Sequence, residues 1–294
     1  HPPNKVIAFP RFIPSPQGTR KGNGATYGKV YSLDERFRYL QQNHPDLIVF
    51  DPVFGETLCE VPVDQIAEHY QPAEKLAQLR KTNQLTPLEK KALQLATALK
   101  EKAGIPWSAV GISGSIMAGL TTQTSDIDPL VYGVENSRRA YAALQQLRQE
   151  PNSGSKPYSE GELKALFDFR SKDTHMSFED FVKVESGKAF QGMFQGTDYF
   201  VRFVKDWAEL GEQYGEVTYK NSGYLKINAE IADATDALFT PCLYTLKNVK
   251  VLEGLNLAPV FGVVSFRGRF CMQAKEGDRI EAQGKAELVT SKEG

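Results

Sequence analysis

The chain is poor in cysteine. Among its 294 residues only Cys59, Cys242 and Cys271 occur. They are far apart, odd in number and free of Cys-x-x-Cys spacing, so neither a disulfide framework nor a zinc site is indicated. A charge imbalance is also missing: 35 basic side chains face 36 acidic ones, for a net charge of −1. Nothing global therefore draws the chain to nucleic acid, and any such binding must come from a local patch. Long apolar runs are absent too. No stretch approaches the roughly 20 residues that a bilayer span needs, and no signal-peptide pattern opens the chain. The expectation is a cytoplasmic protein with no membrane partner, long enough for two or three structural units. It begins with His1-Pro2-Pro3 rather than Met, which reads as an upstream segment removed or left out.

What is present is most concentrated between residues 110 and 133. Gly111-Ile112-Ser113-Gly114-Ser115-Ile116 is followed by Thr124-Ser125-Asp126-Ile127-Asp128. Residues 109–112 read as a short buried strand, and residues 115–120 as the opening of a helix whose free amides point at Gly114-Ser115, a turn able to hold a phosphate. Residues two apart on a strand share a face, so Asp126 and Asp128 present their carboxylates together while Ile127 points inward. Two like charges this close are stable with a cation between them, and hard oxygen ligands suit Mg²⁺ or Mn²⁺.

This succession of strand, Gly-Ser turn, helix and Asp-x-Asp strand resembles the signature of the polymerase-beta-like nucleotidyltransferase superfamily. The resemblance implies a catalytic palm in which Gly114 and Ser115 contact the triphosphate tail of ATP or another nucleoside triphosphate. It also implies that Asp126 and Asp128 bind catalytic metal, and that a third carboxylate completes the site. The chain as a whole resembles a family of predicted prokaryotic nucleotidyltransferases of unassigned substrate, through Phe239-Thr240-Pro241-Cys242 and Ser265-Phe266-Arg267-Gly268-Arg269-Phe270-Cys271. Pro129 departs from the pattern: with no N–H and a fixed φ, it requires a bulge, an edge or a missing ladder bond directly after Asp128.

The expected fold class is α+β in three parts: an N-terminal α+β unit over residues 1–72, the palm with its leading helix over 73–206, and an antiparallel β-barrel or sandwich over 207–294. Capping boxes at Ser32/Glu35 and Thr86/Glu89 place two helices, the second with Pro87 at its first position and Gly104 as its stop. Further helices are expected at 135–149, 160–171 and 178–190, the last capped by Ser177, with a polar, mobile loop at 151–161. In the basic segment 17–24, Arg20 and Lys21 are candidates to reach a polyanion, the alternative being a solvated hairpin tip.

Strand 199–205 is where a third acid is due, yet its interior carries Arg202. Asp198, Glu230, Asp233 and Asp236 are the candidates, with the 230s favoured for that reason. In strand 260–271, period two puts Arg267 and Arg269 on one face and Phe266 and Phe270 on the other, which serves either a core with a solvated basic face or an RNA platform. The expected reaction is metal-dependent transfer of a nucleoside monophosphate to an acceptor hydroxyl of RNA, a small molecule or a protein. The alternative is a non-catalytic nucleotide- or RNA-binding module that retains the palm fold.

Overall fold

Strands β1 (Lys5–Ile7), β2 (Phe12–Pro14), β3 (Arg20–Gly22) and β4 (Ala25–Lys29) open the computed structural model of the chain, which describes residues 1–292 apart from 173, 175, 256 and 257. β2, β4 and β3 form one antiparallel sheet in that order. Ser32 then caps α1 (Leu33–Asn43): its hydroxyl accepts from the Glu35 amide at 3.1 Å, while the Glu35 carboxylate accepts from the Ser32 amide at 3.2 Å, satisfying two of the donors a helix start leaves over. β5 (Ile48–Asp51) and β6 (Glu56–Pro62) follow as a hairpin with β1 on the other edge of β6.

Helices α2 (Pro72–Lys81) and α3 (Pro87–Ala103) lead into the centre of the molecule. α3 has the predicted Thr86 capping box and ends at Gly104 with φ at 60°, a conformation glycine takes without strain. Its Ala92, Leu95, Ala96 and Leu99 are fully buried, the stripe that helical spacing requires. The central sheet combines β7 (Val110–Ile112), the short α4 (Gly114–Met117), β8 (Pro129–Tyr132) and α5 (Val134–Leu147) with strands from later in the chain. Those come after β9 (Ser155–Lys156), α6 (Glu160–Arg170), α7 (Phe178–Glu185) and β10 (Gln191–Phe194), as β11 (Thr197–Phe200) and β12 (Arg202–Val204). The order is β12-β8-β7, with β12 parallel and β7 antiparallel to β8. Pro129 is the first residue of β8, a position that needs no ladder donor. Segment 151–161, expected as a free loop, supplies β9, which pairs with β10. α7 stops at Glu185, short of residue 190, because Lys188 turns in to pair with Glu185.

In the C-terminal part, β13 (Val217–Asp233), β14 (Cys242–Glu253), β15 (Gly262–Ser265) and β16 (Arg279–Ser291) make one antiparallel sheet, ordered β15-β14-β13-β16. The expected barrel or sandwich is corrected to an open four-stranded sheet. Four strands are too few to close around an interior of side chains. Instead, one end of the sheet packs on the central core: Ile227, Ile231, Cys242 and Tyr244 join Leu95, Val131, Phe190 and Phe203 in a single buried cluster. Its other end leans on the N-terminal hairpin, where Tyr219 stacks on Phe54 at 5.9 Å and the Tyr214 hydroxyl donates to Asp51 at 2.9 Å. The predicted two-faced strand through Arg267 and Arg269 is also corrected. β15 ends at Ser265 and residues Gly268–Phe270 form a 3-10 turn, leaving Phe266 exposed. Gly268 lies flat on the Phe200 ring, where a Cβ would come within 2.6 Å of Phe200 Cζ. Among the described residues, no helix is long and apolar enough to cross a membrane.

Candidate active site on the central sheet

The parallel pairing of β8 with β12 continues past Pro129. Ile127 bridges to Tyr199 at the same offset that pairs Leu130 with Arg202, its amide donating to the Asp198 carbonyl and its own carbonyl accepting from the Phe200 amide, both at 2.9 Å. Ile127, Tyr199, Val201 and Phe203 are buried. Alternation along two strands in register then sends Asp126, Asp128, Asp198, Phe200 and Arg202 to the opposite face, covered at Phe200 by Gly268 and open at Asp198. The predicted pairing of Asp126 with Asp128 around an inward Ile127 is thus the observed one, and Asp198 lies within β11 beside them rather than ahead of the strand.

The other candidates for a third acid are committed elsewhere, which corrects the preference for the 230s. Glu230 pairs with Lys247 at 2.9 Å and Asn248 at 3.2 Å; Asp233 accepts from the Thr235 amide and hydroxyl; Asp236 pairs with Lys205 at 2.8 Å. The first two are local surface contacts on the C-terminal sheet, and the third is a part-buried pair to the end of β12.

Gly114 adopts φ of 65°, and a Cβ on it would sit 2.8 Å from Asp128 Cγ. Only glycine lets this turn lie against the carboxylate. The turn is tied to the strand through Asp128: the Ser113 amide and hydroxyl both donate to the Asp128 carbonyl, at 2.8 and 3.0 Å. The buried hydroxyl of Ser115, expected to orient a triphosphate, is turned away and donates to Ser125 Oγ at 3.1 Å. What this turn presents is its first-turn amides, which have no partner within a helix.

Arg20 is also redirected. Instead of reaching outward for a polyanion, it is buried, donating to the Leu120 carbonyl and to Ser125 Oγ at 3.5 Å, with its guanidinium 5.3 Å from the Phe12 ring. The hairpin therefore docks on the segment leading to Asp126, leaving Lys21 exposed.

The electrostatics follow from this crowding. Burial, then the neighbouring Asp126 charge, push the Asp128 carboxyl up to about 6, against the opposing pull of Arg202, Lys29 and Arg11. Asp198 is exposed as a residue, yet the protein close to its carboxyl still raises its pKa; the charges of Asp126 and Glu162 add to this, and a hydrogen bond with Tyr158 opposes it. Arg11, Lys29, Tyr158 and Glu162 carried no signal in the sequence. Arg11 and Tyr158 reach the acids from loops, Lys29 from the end of β4 and Glu162 from α6, and only the packing of the hairpin and of α6 reveals them. Among the described residues, no group of three or more His, Cys, Asp and Glu side chains is arranged to hold a metal ion. A small hollow lies between α6, α7 and Phe270, lined by Arg170, Glu185 and Arg269, and includes none of the three aspartates.

The uncharacterized protein MJ1086 of Methanocaldococcus jannaschii is 30% identical to this chain over 303 residues, covering 100% of the chain and 86% of the relative. The chain belongs to that family. No protein-family model matches the sequence, and no solved structure does. The family relationship spans all the elements described above, the acidic face and the C-terminal sheet included.

Proposed function

We propose that the protein is a metal-dependent nucleotidyltransferase of the polymerase-beta-like kind, with residues 73–206 as its palm, moving a nucleoside monophosphate from a nucleoside triphosphate such as ATP to an acceptor hydroxyl. The observation that carries this reading is the register of β8 with β11 and β12, which puts Asp198 on the same face as Asp126 and Asp128. The donor set suits the group the reading requires: carboxylate oxygens on one face are hard ligands, and each has a raised pKa or a like-charged neighbour that a divalent cation would relieve. Asp126, Asp128 and Asp198 would hold Mg²⁺ or Mn²⁺, which when bound neutralises phosphate charge and acidifies the acceptor hydroxyl. Tyr158 beside Asp198 leaves that carboxylate further lone pairs for a cation.

The remaining roles belong to the chain. Gly114 lets the turn approach Asp128, and the first-turn amides would donate to incoming phosphate oxygens. Arg202, Lys29 and Arg11 place positive charge beside the acids, where it can hold a triphosphate or an acceptor phosphate. The reading is tested by incubating the protein with Mg²⁺ and each labelled nucleoside triphosphate, with and without total RNA. Pyrophosphate release that disappears in Asp126→Asn and Asp198→Asn supports the transferase. Nucleotide binding without turnover under every acceptor condition replaces it with the non-catalytic binding module.

A further inference from the structure

α6 links the acidic face to a second surface. Glu162, in its first turn, acts on Asp198. Phe169, seven residues on and so on the same face, stands about 10 Å further along the axis. Phe169 is 53% exposed and meets Tyr31, 55% exposed, edge-on with ring centroids 6.5 Å apart. Cations lie over the two rings. Arg11 and Lys29 lie 5.3 and 5.1 Å from the Tyr31 centroid, and Lys172 lies 5.9 Å from that of Phe169. Arg11 and Lys29 are also the cations of the N-terminal unit that act on Asp128, so the wall and the acids are contiguous.

Two large rings left in water by segments far apart in sequence mark a contact surface. The cations select a polyanion, and the rings select one that offers π faces. A single-stranded nucleic acid supplies both, whereas a duplex hides its base faces in the stack. We propose that the Tyr31–Phe169 wall binds single-stranded nucleic acid. Resting on the transferase reading, it also leads the strand's terminal hydroxyl to Asp126, Asp128 and Asp198.

The test is fluorescence anisotropy of a labelled single-stranded RNA oligomer with the full chain, in the absence of divalent metal and nucleoside triphosphate. Wild type should bind with an affinity that falls as salt rises. Tyr31→Ala combined with Phe169→Ala should weaken binding by about 10-fold or more, Tyr31→Phe should keep it, and Lys29→Glu should reduce the salt slope by about one or more. Circular dichroism and melting confirm that the variants fold, which both exposed positions allow. No binding by wild type, equal binding by the double variant, or a blunt duplex bound as tightly as the single strand would each overturn the proposal. Weakened triphosphate binding with RNA binding intact would assign the rings to the incoming base and overturn the acceptor role. RNA binding with no turnover of any triphosphate would instead leave the wall standing and remove the transferase reading.

Discussion

At the far end of α6 from Asp198 lies a second set of charged side chains, and its construction is the opposite of the acidic face. Glu185 accepts from Lys188 and from Arg170, both at 2.6 Å, and Lys188 donates further to the Arg269 carbonyl at 2.6 Å and to Gln273 at 2.8 Å. Lys188 and Glu185 are buried, and each charge has an opposite charge and hydrogen bonds around it. On the acidic face, Asp128 is held up to about 6 by burial and Asp126, beyond what Arg202, Lys29 and Arg11 take back. The Glu185 cluster is complete in the folded chain. The acidic face retains negative charge that favours a cation from outside, as expected of a site rather than of a structural ion pair.

Removing Glu185 gives the largest expected effect on stability. Glu185→Ala would leave Lys188 and Arg170 as buried unpaired cations and should cost about 3–5 kcal/mol in urea unfolding. Asp198→Asn should cost less than about 1 kcal/mol in the same measurement while lowering turnover by roughly three orders of magnitude. If the two substitutions cost equally, the comparison breaks.

Gly114→Ala comes next. It forces a Cβ onto the Asp128 carboxylate at φ of 65°, and a melting curve should register a loss of roughly 1–3 kcal/mol.

The Asp128 carboxyl sharpens the contrast through pH. Its folded pKa of about 6 lies above the unfolded value near 4, so the fold prefers the protonated form and ionisation costs stability. The cost is absent below about pH 4, grows as pH rises between about 4 and 6, and is complete above that. Asp128→Asn should therefore match wild type at pH 4 and exceed it by about 1–2 kcal/mol at pH 8, allowing for partial screening. A variant less stable at pH 8 than at pH 4, relative to wild type, would reverse the sign and remove this account of the carboxyl.

Glu230→Gln should produce the smallest effect, with neither turnover nor melting temperature resolvably changed, since Glu230 serves a surface pair with Lys247.

The legible parts of this molecule were those with local causes. Ser32, Thr86 and Ser177 cap their helices through a residue three positions on, and period two alone placed Asp126 and Asp128 around Ile127. α2 begins at Pro72 behind Gln71, which makes no side-chain cap, and one proline was too weak a signal to announce it; the β5–β6 hairpin was likewise unmarked. Asp198 could not be chosen from sequence because its neighbour is set by a parallel pairing across some seventy residues, through α5, α6 and α7. Arg20 looked free because nothing local shows that Leu120 and Ser125 will cover it. Around Gly268, alternation mimicked a strand, while the missing side chain let the chain turn onto Phe200.

Manganese binding tests the central claim most directly. Mn²⁺ should be titrated into wild type, Asp126→Asn and Asp198→Asn and followed by electron paramagnetic resonance at pH 8 and at pH 5. A saturable site in wild type that is lost in both variants, and that loosens at pH 5 as a proton competes for Asp128, is the predicted result. Binding equal in all three proteins, or no binding at either pH, would contradict the assignment of the acidic face as a cation site.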